Sequence, residues 1–176
     1  MQKIPGKCAT DIPPVTIIDH FLVLAALPVL LFCPATTAAD DNLNAAFDRD
    51  VLVIEASAHA CHRIDIYVAT SNRQRSRGLM FVRKLPPMIG MLFIYDREDY
   101  ASMWMKNTYI SLDILFVRGD GQISSIARNT EPLSLQSITS IEPIAYVLEL
   151  NAGTAKRLFI DEKSRLMWGS THDSEQ

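Results

Sequence analysis

The residues best suited to chemistry lie in Met103-Trp104-Met105-Lys106-Asn107-Thr108 and in Leu112-Asp113-Ile114-Leu115-Phe116. Asp113 interrupts an apolar run, and Glu149 does the same in Tyr146-Val147-Leu148-Glu149-Leu150. A carboxylate withdrawn from water needs a partner, and Lys106 and Asn107 are the nearest polar groups in sequence to Asp113. On a strand, Trp104 and Lys106 project from one face while Met103, Met105 and Asn107 project from the other. One reading is a pocket for a small polar or anionic ligand. In it Lys106 receives the anionic group, Asn107 and the two carboxylates complete the polar lining, and Trp104 supplies a stacking wall. The other reading is a polar network that specifies the fold and binds nothing. The two carboxylates also suit acid and base roles in hydrolysis of an envelope glycan, provided that they share a cleft about 5–10 Å apart.

Three further groups of residues merit weighing. Arg73, Arg75 and Arg77, followed by Arg83 and Lys84, fall in a stretch from Asn72 to Tyr95 that contains no acid. Such a patch is either a solvated face or a seat for an anionic envelope component. His59-Ala60-Cys61-His62 offers metal-binding atoms, but structural zinc wants four ligands and extended backbone turns His62 away from the other two. Met80, Met91, Met103 and Met105 with Trp104 would suit Cu(I), although methionine more often fills cores. Neither group justifies assigning a metal. No Gly-x-Ser-x-Gly, Walker A or His-Glu-x-x-His motif occurs, so no catalytic residue or cofactor is assigned and a non-catalytic binding module is favoured.

The elements that must position these side chains are mostly strands. Val51–Ala56 and Arg63–Thr70 alternate with period two, placing Ile64, Ile66 and Val68 on one face. Ser71 with Gln74 forms a capping box for a short helix that Gly78 and Pro86-Pro87 limit. Met91–Tyr95, Ser102–Thr108, Leu112–Val117, Gln122–Arg128 and Ala145–Leu150 read as further strands, with Gly119-Asp120-Gly121 as a tight turn. Asn151 is placed to cap a second short helix through Leu158, and Arg165–Trp168 closes the series as a strand. The expected fold is α+β, mostly antiparallel: a small curled sheet or partial barrel with two short helices.

Composition narrows the setting. The 176-residue chain carries a formal charge of −3 and is 48% apolar, which is too apolar for disorder and too evenly charged for a nucleic-acid binder. Phe21–Phe32 is uncharged, too short for a bilayer span of roughly 20 residues, and suited to a signal-peptide core. With Lys3 and Lys7 upstream and Thr37-Ala38-Ala39 before Asp40, residues 1–39 read as a cleaved export signal. Residues 40–50 then form a loose leader, 51–169 the single domain and 170–176 a tail. This arrangement leaves Cys61 as a lone thiol in a periplasmic or extracellular protein, with the membrane met only through an uncleaved signal. The oligomeric state is not legible.

Arg77-Gly78-Leu79-Met80-Phe81, Leu85-Pro86, Gly90-Met91-Leu92-Phe93, Trp104-Met105-Lys106-Asn107-Thr108, Leu112-Asp113-Ile114 and Val147-Leu148-Glu149-Leu150 together resemble the signature of the Domain of Unknown Function 192 family (DUF 192). The resemblance runs from about Ile64 to Phe159. It implies a small, β-rich, often exported domain, with no established activity, cofactor or catalytic residue to carry over. A Gly-Asp turn commonly follows in the family, whereas Ile160-Asp161-Glu162-Lys163-Ser164 has no glycine.

Overall fold

The computed structural model describes residues 43–168, so the expected signal segment, the first residues of the leader and the tail lie outside the described residues. Nine strands form: β1 (Asp48–Glu55), β2 (Cys61–Ala69), β3 (Ile89–Asp99), β4 (Ser102–Met103), β5 (Leu112–Val117), β6 (Ile123–Ala127), β7 (Ile138–Thr139), β8 (Ile144–Asn151) and β9 (Arg165–Met167). Two short helices, α1 (Asn72–Arg77) and α2 (Thr154–Arg157), complete the described elements. Seven strands build one sheet in the order β6-β5-β8-β3-β2-β1-β9, and β4 pairs with β7 separately. Every pairing is antiparallel except β2 with β3, which α1 connects.

The two edge strands approach each other, so the sheet is nearly closed. Gln122 bridges to Arg165, and the Leu166 N–H donates to Gly121 O at 2.8 Å. Gly121 permits that approach, because a Cβ there would stand 2.3 Å from Leu166 O and the residue holds φ at +85°. The expected α+β partial barrel is therefore the observed fold.

Strand parity separates two apolar clusters. Ile64, Ile66, Leu92, Leu115, Leu148 and Leu166 pack on one face of the sheet, and Met91, Phe93, Ile114, Phe116 and Val147 on the other. The second face is covered by the chain around α1. The capping box forms as the residues dictate: Ser71 Oγ accepts from the Gln74 N–H, and Gln74 Oε1 accepts from the Ser71 N–H.

Several expectations need correction. Within the supposed loose leader, Leu43 and Phe47 are buried in the second cluster and β1 already begins at Asp48. Ser102–Thr108 is not one strand: β4 ends at Met103 and a turn follows, with Asn107 at φ 56°. Its backbone is instead engaged by loops, as when the Phe81 N–H donates to Asn107 O at 2.8 Å. Asn151 caps no helix. Its Nδ2 donates to Leu85 O and Pro86 O, and Gly153 starts α2 without a side-chain cap. The glycine-free turn after Ile160 is closed by side chains, with Asp161 Oδ1 accepting from the Lys163 N–H and Ser164 Oγ accepting from the Asp161 N–H.

Candidate functional site

Glu149 sits midway along β8, opposite Met91 of β3 and Ile114 of β5. Its parity turns it toward the face that α1 covers. There it lines a cavity of about 320 Å³ walled by α1, the Gly78-Leu79-Met80 turn, β3, β4 and the residues just after β4. Glu149 is 4% exposed, and its Oε2 has no hydrogen-bond partner. Burial pushes its carboxyl from the ordinary 4.5 up to about 8, and no neighbouring charge offsets this. At neutral pH the group is therefore a carboxylic acid, able to donate one hydrogen bond and accept others.

The rest of the lining is mixed. Arg75 and Arg77 come from the last turn of α1, with Tyr95 and Phe93 on β3. Met80, Met103 and the half-exposed Trp104 supply apolar and aromatic walls, and Ser76, Ser102 and Thr108 supply hydroxyls. Arg75 is held firmly: Nη1 donates to Ile94 O at 2.8 Å and to Thr70 O, and its guanidinium stacks 5.4 Å from the Tyr95 ring centroid. Burial also raises the Tyr95 phenol, Arg75 opposes that shift and Glu149 adds to it, so Tyr95 lies within electrostatic reach of both. With Glu149 neutral, the only formal charges lining the cavity are the two arginines.

Of the five residues expected to converge, the cavity gathers Trp104 and Glu149. Lys106 is exposed and lays its Nζ 5.0 Å from the Trp104 ring centroid, outside the lining. Asn107 turns its Nδ2 toward Met80 Sδ at 3.9 Å and also stays outside. Asp113 is on the opposite face. In the β5–β8 register Asp113 pairs with Leu150 whereas Glu149 pairs with Ile114, so the two carboxylates project from opposite sides of the sheet. Asp113 lines a separate cavity of about 300 Å³. Its oxygens are already committed, Oδ1 to the Asn129 N–H and Oδ2 to the Ala155 N–H, both at 2.9 Å. Asp113 is thus a buried tie between β5, the loop after β6 and the start of α2. A glycan hydrolase using Asp113 with Glu149 is overturned, because the two carboxylates project from opposite faces of the sheet into separate cavities.

The metal readings fare no better. Met91 and Met105 are fully buried in the core, leaving Met80 and Met103 in the cavity, so the four methionines do not converge on an ion. Among the described residues no group of three or more His, Cys, Asp or Glu is placed to hold a metal. His62 instead pairs its Nε2 with Leu158 O at 3.1 Å. Cys61 is disulfide-bonded in the full-length chain, whereas the lone-thiol expectation concerns the chain without residues 1–39. That expectation took Cys8 and Cys33, the other two cysteines, out of the chain.

Arg75 and Arg77 are the gain from structure. The sequence placed them with Arg73 in a separate anionic-partner patch, but the helix sets Arg73 beside Ala45, Ala46 and Phe47 and Arg75 in the cavity that Glu149 faces, while Arg77 lines both, its guanidinium 5.6 Å from the Phe47 ring centroid. Residue type alone carried no signal for this pairing, which depends on α1 lying across β3 and β8. Gly78 lets the turn after α1 sit against Phe93 of β3, and Gly90 lets β3 approach β8 closely. A Cβ at Gly90 would meet Glu149 O and Leu150 Cδ2 at 2.7 Å, and one at Gly78, where φ is +47°, would meet the Phe93 ring at 3.1 Å.

Comparison with known proteins places the domain. No curated protein matches the chain. A crystal structure described as a putative transcription regulator from Sinorhizobium meliloti 1021 is similar at 41% identity and a TM-score of 0.67, covering 69% of this chain and 94% of that one. A protein of unknown function from Novosphingobium aromaticivorans DSM 12444 is similar at 29% identity and a TM-score of 0.67, covering 82% of this chain and 94% of its own. The family model for DUF192, described as Uncharacterized ACR, matches residues 53–168, which run from within β1 through β9 and include the whole cavity lining. The chain belongs to the DUF192 family.

Proposed function

We propose that this domain is a non-catalytic binding module for a small organic anion, taken up in the cavity between α1 and the β3–β8 pair. One observation carries the reading: a buried, partnerless carboxyl oxygen of Glu149 faces a cavity whose formal charges at neutral pH are both positive. A buried polar atom left unpaired costs stability, and such atoms mark places where a ligand completes the hydrogen bonding. The ligand's carboxylate or equivalent accepts from the Glu149 acid proton and is drawn inward by Arg75 and Arg77. Its apolar portion lies against Trp104, Met80 and Met103.

The setting we assign is the cell envelope, supported by the apolar run Phe21–Phe32 and the small residues ending at Ala39. Amino-terminal sequencing of the protein recovered from its own cell tests this. A start near Asp40 supports export with cleavage, and recovery only from the cytoplasm contradicts it.

Binding is tested with benzoate, benzamide and benzylamine, which share a ring and differ in charge, followed by NMR at the Trp104 indole and the Met80 and Met103 methyls. Benzoate is expected to shift all three sites saturably, benzamide weakly and benzylamine not at all. No response to any probe, or preference for the amine, contradicts the proposal.

A further inference from the structure

Three loops at the rim of the cavity form a surface that the fold does not bury. Residues 79–84, 104–109 and 131–136 are laced together by backbone hydrogen bonds: the Phe81 N–H donates to Asn107 O (2.8 Å), the Leu133 N–H to Thr108 O (3.0 Å) and the Met105 N–H to Ser134 O (3.1 Å). From them point Phe81, Trp104, Leu133 and Leu135, each at least half exposed. Tyr109 joins them, its ring 6.4 Å from that of Phe81. Phe81 and Leu133 hold φ at 67° and 63°, a left-handed backbone that disfavours bulky side chains, and both side chains face water rather than the core. Large apolar side chains left exposed on adjoining loops mark an interaction site.

Charge follows the same placement. The Arg83 guanidinium lies 4.6 Å from the Tyr109 ring centroid, and Lys106 Nζ lies 5.0 Å from that of Trp104. Residues 72–95 and 100–112 contain Arg73, Arg75, Arg77, Arg83, Lys84 and Lys106 and no acid. Glu131 is the single acid within 131–136.

We propose that this face docks the protein on a bilayer bearing anionic phospholipid. Tyr and Trp settle where one end of the ring is apolar and the other wet, and cations near the surface are attracted to anionic headgroups. Cations stacked on the aromatic rings bring both features to one height. Separate apolar side chains interleaved with cations also suit a fluid surface, which asks for no shape match. The docking surface shares Trp104 with the cavity, but its cations and its other apolar side chains do not depend on what the cavity binds.

The test uses the full chain with Trp168→Phe, which leaves Trp104 as its only indole. The probes are vesicles of brominated phosphatidylcholine, alone or mixed with phosphatidylglycerol. The readout is quenching of Trp104 rather than co-sedimentation, so that attachment through the apolar run Phe21–Phe32 does not count as docking. Quenching is expected with phosphatidylglycerol present and is lost in high salt. Arg83→Gln with Lys84→Gln weakens it by roughly 30-fold, at about fivefold per cation. Leu133→Ser with Leu135→Ser abolishes it while the melting temperature stays unchanged. The proposal is overturned if Trp104 is unquenched, if phosphatidylcholine alone quenches equally, or if neither double variant matters. A Trp104 response only to protein concentration, or only to duplex DNA, also overturns it in favour of self-association or nucleic acid.

Discussion

Replacing Glu149 by glutamine is expected to stabilise the protein, and to do so only above acidic pH. The folded carboxyl titrates at about 8 against an ordinary 4.5, because burial disfavours its charged form. Below pH 4.5 the acid is protonated in both folded and unfolded chains, so its ionisation costs nothing. Between 4.5 and 8 the unfolded chain releases the proton while the folded one retains it, and stability falls by about 1.4 kcal/mol for each pH step of one. Above 8 both forms ionise and the loss levels off at about 5 kcal/mol. At pH 7 the penalty is about 3 kcal/mol, which Glu149→Gln removes by keeping the shape and discarding the ionisation. For a domain of this size that amounts to roughly 10 °C in melting temperature. Thermal melts of both proteins at pH 4, 5.5, 7 and 8.5 are the assay. Curves that coincide at pH 4 and separate steadily upward support the reasoning. A difference independent of pH, or glutamine destabilising throughout, refutes it. A residue that costs the fold this much and leaves one buried oxygen unpaired is best explained by what the cavity binds.

Four more outcomes follow from the geometry. Gly90→Ala forces a methyl against Glu149 O and Leu150 Cδ2 and is expected to cost roughly 2 kcal/mol, measured by urea unfolding, with loss of benzoate binding as the β3–β8 pair shifts. Asp113→Ala strands the Asn129 and Ala155 N–H groups and is expected to cost roughly 3 kcal/mol by the same assay while leaving benzoate affinity intact. Trp104→Ala, at a half-exposed position, is expected to move the melting temperature little and to weaken benzoate by roughly five- to tenfold in calorimetry. Ser71→Ala removes one half of the capping box and is expected to cost about 1 kcal/mol in thermal unfolding.

Local chemistry made much of this fold legible in advance. The alternation of Ile64, Ile66 and Val68 survives as one buried face of β2, and Ser71 with Gln74 caps α1 as their types require. What escaped was set by contacts distant in sequence. Asn107 takes a left-handed turn because the loops at Phe81 and Leu133 claim the backbone around it, which alternation within Ser102–Thr108 cannot reveal. Asn151 caps no helix because the Leu85 and Pro86 carbonyls, more than sixty positions upstream, take its side chain. The same cause divided the candidate site. Asp113 and Glu149 look alike as acids within apolar strands, yet the β5–β8 register sends them to opposite faces. One became a satisfied structural tie and the other an acid with one oxygen left unpaired in a cavity, and no reading of either strand alone distinguishes them.

The most direct test of the central claim is the titration of the Glu149 carboxyl carbon by NMR, with and without saturating benzoate. The expected result is a pKa near 8 in the free protein that rises further when the anion is bound, since ionisation would then set two negative charges against each other. Correspondingly, benzoate affinity falls as pH climbs through 8. A Glu149 that titrates in the ordinary carboxylate range, or one whose titration benzoate leaves unmoved, contradicts the assignment of this cavity as the binding site.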